Sequence, residues 1–325
     1  MKAPLPVGVI GVGALGQHHA RHLARLGEVR LVGVCDTDPA RASRIAEEYG
    51  TSAYTDVEDL LAQVEAVTIA VPTPAHAEVG IRALQRDVAV LMEKPLAATL
   101  AEADSLIAEA KRHRVQLQVG HIERYNRALR AAEPYLDGPR YIESLRLASF
   151  QPRGTDVAVV LDLMIHDLDL VLHLTGSEAT EVRASGLPVL SPHLDIANAR
   201  VEFANGAVAL ATASRVARER IRRLRLFQPN GYFSLDLATG GGEFMRVRNG
   251  WQPGTGRELA DVVERIVLEA PEADALALEL QSFVHAVRGE REVVVRGEEG
   301  RAALALALRV SDAVRTSPLA VATPG

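Results

Sequence analysis

The sequence has little of several features that mark common protein classes. It contains one cysteine, Cys35, so an internal disulfide is excluded. No apolar run approaches the roughly 18 residues that a membrane-spanning helix needs. The opening MKAPLPVGVIGVG lacks the apolar run and cleavage site of a secretory signal. We therefore expect a cytoplasmic protein without a membrane partner.

Positive charge is not in excess either. The net charge is −6 and the isoelectric point is about 6.0, so we expect no nucleic-acid partner. The sequence shows no repeats and no low-complexity segments. What remains is a globular chain of 325 residues, 48% of them hydrophobic, which is enough to fill two cores.

The first 120 residues alternate short β-branched runs with helical patterns. VGVIGVG, VRLVGVCD, AVTIAVPT, VAVLMEK and VQLQVGH are typical of strands, and amphipathic segments separate them. Repeated βα units predict a parallel sheet with helices on both faces. We therefore predict an α/β protein whose residues 1–122 form a doubly wound Rossmann domain.

After residue 138 the pattern changes to longer runs with a period of two. FANGAV and QPNGYF each place Asn-Gly between strand-like runs, which predicts hairpins. Two helices near 273–288 and 298–316 close the chain. The sequence predicts a C-terminal α+β domain, residues 123–325, with a large and mostly antiparallel sheet that serves substrate binding and oligomerisation.

A glycine-rich turn follows the first predicted strand. GVGALG has the G-x-G-x-x-G spacing, and Asp36 ends the next strand, as the dinucleotide fingerprint requires. This acid would bind ribose hydroxyls and repel a 2′-phosphate, which favours NAD over NADP, although Arg41 could partly offset the repulsion. A turn without a cofactor is the alternative. The predicted cofactor residues here are Gly11, Gly13, Ala14, Leu15, Gly16, Asp36 and Arg41.

Metal binding is not expected. His18, His19 and His22 have a suggestive spacing, but they open a basic helix. His166 and His173, on a later helix, have no other cluster to supply further ligands.

That later helix, VVLDLMIHDLDLVLHL, is apolar almost all round yet carries acids and histidines. At about 100° per residue, Asp162, His166, Asp169 and His173 lie within about 60° of one another. Because unpaired buried charge is costly, this stripe must face a partner, a metal or a wet cleft. A satisfied structural network is the alternative. Asp167 lies about 140° from the stripe and is predicted to be a cap or a surface charge.

Two strand ends carry further motifs, VPTPAH and MEKP. Ligands of open α/β sheets bind at this edge, so Lys94 would point toward the nicotinamide. The further predicted cofactor residues are Val71, Pro72, Thr73, His76, Glu93 and Lys94.

The motifs together resemble the Gfo/Idh/MocA (glucose-fructose oxidoreductase / inositol dehydrogenase) family over nearly the whole chain. In that family the lysine of E-K-P and the Asp and His of D-x-x-x-H line the substrate pocket, which implies Lys94, Asp162 and His166 here, in a cleft between two domains. His166 would accept the hydroxyl proton, Asp162 would orient it, and Lys94 would stabilise the developing charge on oxygen. Asp169 and His173 are expected to be structural.

VGHIERYNRAL and LRLFQPNGYFSLDL resemble the branch of the family that acts on nucleotide sugars, particularly at C3 of UDP-N-acetylglucosamine. Arg127 stands where a proline is expected. The resemblance implies Arg124, Tyr125 and Asn126 as ligands of sugar hydroxyls.

Further arginines could meet the phosphates of such a substrate. Arg153 precedes the polar helix, and SRVARERIRRLRLF is predicted to place Arg218, Arg220 and Arg222 on one strand face, where they could hold a diphosphate. A solvated, salt-bridged sheet face is the alternative for that strand.

The expected function is NAD-dependent oxidation of the C3 hydroxyl of UDP-N-acetylglucosamine or a related UDP-sugar to the 3-keto sugar. The resemblance alone suggests lipid A or envelope glycan synthesis as its pathway. A dehydrogenase of a free cyclitol or aldose, and a non-catalytic NAD-binding regulatory protein, remain alternatives. We expect a homodimer or homotetramer formed through the open face of the C-terminal sheet, where VALATA and YFSLDL offer apolar side chains.

Overall fold

The structure is a computed structural model that describes residues 3–151, 157–248, 250–251 and 258–317, without the side chains of residues 259 and 260. The chain divides into two compact units. The first comprises residues 1–122 and 273–304, and the second comprises residues 123–272 and 305–325.

The first unit contains a six-stranded parallel sheet in the order β3-β2-β1-β4-β5-β6. This is the strand order of the doubly wound Rossmann fold, as predicted. Its strands are β1 (Leu5–Ile10), β2 (Val29–Cys35), β3 (Ser52–Tyr54), β4 (Ala66–Ile69), β5 (Ala89–Glu93) and β6 (Leu117–Gly120). Its first helices are α1 (Gly16–Leu23), α2 (Pro39–Tyr49), α3 (Val57–Leu61), α4 (His76–Leu84) and α5 (Leu100–His113).

Local sequence signals set the ends of these helices. Asp38 caps α2 by accepting from the backbone N–H groups of Ala40 and Arg41. Thr99 and Glu102 form a capping box at the start of α5. Gly50 ends α2 in the left-handed conformation that glycine adopts without strain.

The second unit contains an eight-stranded sheet in the order β14-β13-β12-β11-β7-β10-β9-β8. All its strand pairs are antiparallel except β7 with β10. Both predicted hairpins, β9–β10 and β11–β12, are confirmed. The strands are β7 (Tyr141–Leu147), β8 (Ala179–Leu187), β9 (Ile196–Phe203), β10 (Val208–Ser214), β11 (Ile221–Gln228), β12 (Gly231–Asp236), β13 (Gly241–Val247) and β14 (Val263–Leu268).

The helices of the second unit are α6 (Arg127–Ala132), α7 (Ile165–Thr175) and α8 (Leu259–Val262). The polar helix predicted at 159–174 is not one regular α-helix. A π-helical turn, Val160–Met164, precedes α7. Because a π-helical turn holds more residues than an α-helical turn, the uniform rotation assumed from the sequence does not apply to Asp162.

Two closing helices follow, α9 (Ala275–Val287) and α10 (Gly297–Arg315). The predicted boundary after residue 122 coincides with a division between the units, but residues 273–304, which were assigned to the second domain, belong to the first. The reason is apolar burial, because Leu280, Phe283 and Val284 of α9 join the buried cluster of the parallel sheet. None of the helices in the described ranges is long and apolar enough to cross a membrane.

Candidate active site

The glycine-rich turn after β1 brings the backbone within reach of a ligand. Gly11 has φ +82°, and a Cβ there would lie 2.8 Å from the Ala70 backbone. A Cβ at Gly16 would lie 1.7 Å from the Gly11 carbonyl oxygen, whereas Gly13 has no atom within 4 Å of that position. The first and third glycines are therefore required by packing, and the second leaves the backbone open where a pyrophosphate is expected.

Asp36 directly follows β2, beside this turn. Its carboxylate accepts hydrogen bonds from the backbone N–H of Val12 (2.9 Å) and of Asp38 (3.0 Å), and the residue is 6% exposed. The Arg41 guanidinium donates to both carboxylate oxygens, at 3.1 and 3.3 Å. The acid is thus held beside the glycine-rich turn, with a cation next to it. An open glycine backbone and a fixed carboxylate fit the adenosine half of NAD.

The loops after β4 and β5 are joined through His76. Its two ring nitrogens lie 2.8 Å from the Pro95 carbonyl oxygen and 2.9 Å from that of Val71. Burial lowers the pKa of His76, against the opposing effect of these carbonyl groups. His76, predicted as a cofactor ligand, therefore positions the loops that carry Val71, Pro72, Thr73 and Lys94.

Lys94 follows β5 directly and is half-buried. The preceding Glu93 accepts a hydrogen bond from the Lys94 backbone N–H (3.2 Å) and lies 2.9 Å from Nε2 of His19 on α1. Glu93, predicted to touch the cofactor, is therefore already engaged by protein groups on both carboxylate oxygens.

In the second unit, Asp162 lies on the π-helical turn and His166 in the first turn of α7, and both are half-buried. Lys94 belongs to the first unit, so the joint action of the three side chains is part of the proposed function. His173 is exposed.

The prediction for Asp167 was wrong. The residue is 2% exposed, and its carboxylate forms a two-point ion pair with Arg146 of β7, at 2.7 and 3.0 Å. Arg146 also donates to Glu123 (2.8 Å). A helical projection shows only the direction of Asp167 and not the guanidinium that β7 buries against it. The alternation of β7 could have revealed the partner, because Arg146 shares the buried face with Ile142 and Ser144.

Asp169 is neutralised in the same way. Arg124 donates to both of its carboxylate oxygens, at 2.6 and 2.9 Å, and both residues are buried. Asn126 caps α6 through Ala128 and donates to Glu123 (2.8 Å). Two members of the predicted sugar-binding set, Arg124 and Asn126, thus have protein partners, and their neighbour Tyr125 is buried.

The predicted phosphate-binding arginines do not share a strand face. β11 begins at Ile221, so Arg218 and Arg220 precede it and are exposed. Arg222 lies within the strand, half-buried, 3.5 Å from Glu123. Burial and then the Arg146 charge lower the pKa of Arg222. Arg153 lies outside the described residues.

Among the residues that the structure describes, no three His, Cys, Asp or Glu side chains lie close enough together to hold a metal ion. His18 is exposed, His19 pairs with Glu93, and His22 lies 3.5 Å from Asp274.

Each of the two units contains a segment that matches a known family model. Residues 5–121 match "Oxidoreductase family, NAD-binding Rossmann fold", and residues 145–234 match "GFO/IDH/MocA C-terminal domain". This chain belongs to the Gfo/Idh/MocA oxidoreductase family. The first unit is accordingly its NAD-binding domain, and the cofactor is NAD.

Similar proteins extend over nearly the full chain. UDP-N-acetylglucosamine 3-dehydrogenase of Acidithiobacillus ferrooxidans is 40% identical over 316 residues, which cover 94% of this chain and 96% of the relative. The solved structure of that enzyme, GnnA, superposes with a TM-score of 0.89 at 39% identity and covers 96% of this chain and 98% of its own. Myo-inositol 2-dehydrogenase of Thermotoga maritima is 29% identical over 322 residues, 92% of this chain and 93% of the relative.

Proposed function

We propose that this protein oxidises the C3 hydroxyl of UDP-N-acetylglucosamine, or of a related UDP-sugar, to a ketone with NAD as oxidant. The observation that carries the proposal is the 40% identity, over 94% of the chain, to a UDP-N-acetylglucosamine 3-dehydrogenase. Bound NAD supplies the acceptor for the hydride that leaves the carbinol carbon.

The proposed proton transfer uses His166. Its imidazole accepts the hydroxyl proton, since imidazole is the side-chain group that most readily takes up and releases a proton near neutral pH. Asp162 orients the ring, and the Lys94 ammonium donates to the same substrate oxygen and stabilises its developing charge. Because Asp167 and Asp169 are neutralised by Arg146 and Arg124, they stand outside this proton transfer.

The protein partners of Arg124 and Asn126 support an indirect role for both residues in substrate binding. Arg124 and Asn126 act indirectly, by holding the backbone around Tyr125. Arg218 and Arg220 are exposed cations, and they remain candidates for the diphosphate, together with Arg153.

A free cyclitol is the second candidate substrate. Inositol 2-dehydrogenase of Rhizobium meliloti is 27% identical over 325 residues, and the Thermotoga maritima relative acts on the same class by name. A free cyclitol has no phosphate for Arg218 and Arg220 to bind, so these additional arginines favour the UDP-sugar.

The proposal also includes a cytoplasmic location and a homo-oligomer formed through the open face of the eight-stranded sheet. Tyr141, Phe227 and Tyr232 pack together on that face, with the Arg225 guanidinium 5.3 Å from the Phe227 ring centroid. Such half-exposed aromatic and cationic groups are frequent at protein interfaces.

Incubation with NAD and UDP-N-acetylglucosamine tests the activity. We expect NADH, a product lighter by one H₂, and transfer of a C3 deuterium label into NADH. Myo-inositol and glucose are run in parallel. Efficient oxidation of either, with no reaction or binding of UDP-sugars, would replace the proposal by the cyclitol or aldose alternative.

A further inference from the structure

A buried histidine connects the cofactor-binding helix to the end of β5. His19 lies in α1, the helix that begins at Gly16 of the glycine-rich turn. The residue is 1% exposed, and its Nε2 lies 2.9 Å from Oε1 of Glu93. Its Nδ1 is buried and has no hydrogen-bond partner among the described residues. The contact with Glu93 therefore accounts for the placement of this polar ring in the core.

The two carboxylate oxygens of Glu93 have different partners. Oε1 meets His19, and Oε2 accepts from the backbone N–H of Lys94 at 3.2 Å. Gly120 of the adjacent β6 lies beside the carboxylate, since a Cβ there would be in van der Waals contact with Oε2, at 3.4 Å. One planar group thus fixes the backbone of Lys94 relative to α1.

We propose that His19 is a positioning residue for Lys94, acting through the Glu93 carboxylate. The inference rests on the proposed function, in which the Lys94 ammonium donates to the substrate oxygen. The same helix begins at the glycine-rich turn, where the cofactor phosphates are expected. The His19–Glu93 contact therefore fixes the position of Lys94 relative to that turn. A displacement of about 1 Å in such a group costs up to about a hundredfold in rate.

Charge supports this arrangement. The groups facing Glu93 are His19 from α1, His76 from α4 and its own neighbour Lys94. Burial raises the pKa of Glu93, but the hydrogen bond and charge of His19, with Lys94, outweigh burial and hold the pKa below its ordinary value. Without His19 the largest effect that opposes burial is lost, so the pKa of Glu93 would rise and the carboxyl would take up a proton at higher pH.

Two substitutions separate positioning from packing. In His19→Gln the amide nitrogen can replace Nε2 as donor, whereas His19→Met fills similar space without a donor. We expect His19→Met to lower kcat by about tenfold to a hundredfold with the Kd for NAD nearly unchanged, and His19→Gln to stay within about threefold of wild type. His18→Met, on the exposed side of the same helix, should match wild type.

The pH dependence gives a readout that a purely structural role would not move. In His19→Met the acid limb of the kcat profile should shift to higher pH, and part of the lost rate should return as pH rises and Glu93 ionises. In His19→Gln and His18→Met the limb should stay in place. An unshifted limb and unchanged kcat in His19→Met would overturn the positioning role.

A measurement without substrate keeps this inference separate from the choice of substrate. In protein labelled with ¹⁵N-histidine, long-range ¹H–¹⁵N NMR should show His19 with a proton on Nε2, and the signal is assigned by its loss in His19→Gln. A proton on Nδ1 alone would overturn the contact. If wild type forms no NADH from UDP-N-acetylglucosamine, the substrate proposal fails, and the kinetic comparison uses whichever sugar wild type oxidises.

Discussion

At the residue scale, the Asp36 carboxylate is fixed by two backbone N–H groups and shared with Arg41. Its remaining acceptor capacity suits ribose hydroxyls, and its charge opposes a 2′-phosphate. The exposed guanidinium beside it could meet that phosphate if the acid were absent. Cofactor choice therefore depends on the balance of these two side chains.

We predict that wild type binds NAD more tightly than NADP and that Asp36→Ala weakens NAD by about tenfold or more, because charged hydrogen bonds to the ribose are lost. Arg41→Ala should weaken NADP more than NAD. Fluorescence titration of both cofactors measures these changes, with Arg44→Ala, on the same helix and paired with Glu48, as the control. Tighter binding of NADP by wild type would contradict the assignment.

The proposed chemistry makes a second prediction at this scale. Lys94→Ala and His166→Asn should each lower kcat by about a hundredfold or more while NAD binding stays nearly intact, the usual effect of losing a positioned base or a charge-stabilising group. His173→Asn, on the exposed side of α7, should retain kcat. Stopped-flow and steady-state NADH formation measure this. Near-normal turnover in either of the first two variants removes that residue from the mechanism.

At the scale of elements, α7 is attached to the rest of the second unit by ion pairs as well as by apolar packing. Arg146 of β7 holds Asp167 and Glu123, and Arg124 holds Asp169. All five side chains are buried. Removing one cation leaves carboxylates in the core without their partner, which costs more than the pair itself contributes.

Arg146→Met should lower the free energy of unfolding by about 3–5 kcal/mol. Arg225→Met, which removes a half-exposed pair with Glu143 on the other face of the same sheet, should cost about 1 kcal/mol or less. Urea denaturation followed by circular dichroism compares them. Equal losses in the two variants would show that the buried network has no special energetic role.

The sequence predicted these elements better than it predicted their contacts. Alternation and Asn-Gly turns located the parallel sheet and both hairpins because those signals are local. The partners of Asp167 and Asp169 come from residues 21 and 45 positions away. The alternation of β7 could mark Arg146 as buried, but it does not show which acid Arg146 meets. The π-helical turn escaped prediction for a related reason, since its extra residue depends on how α7 packs.

At the scale of the whole molecule, the NAD-binding unit is discontinuous in the chain. Its parallel sheet is complete by residue 120, but α9 covers part of the sheet's apolar core with Leu280, Phe283 and Val284. Residues 1–122 alone would expose that surface. The chain must therefore pass through the second unit before the first can finish burying its core.

The open face of the eight-stranded sheet carries the last prediction, that the protein is a dimer or tetramer at micromolar concentration. Leu210 of β10 lies in the middle of the sheet, half-buried, directly opposite Arg200 on one side and Glu143 on the other. Residues opposite one another share a face, so a glutamate at 210 would be attracted by Arg200 and repelled by Glu143. Because Arg225 already pairs with Glu143, the repulsion is reduced, and the substitution should be tolerated in a single copy. Across an apolar interface the same charge would be desolvated.

Light scattering should therefore show an oligomer for wild type and a smaller species for Leu210→Glu, with circular dichroism unchanged. Val294→Glu, which places the same charge on an exposed apolar position of the first unit, is the matched control and should leave the oligomer intact. A wild-type monomer would exclude association. Dissociation by Val294→Glu and not by Leu210→Glu would move the interface away from this sheet, and the aromatic group around Phe227 would then be a surface feature of a single copy.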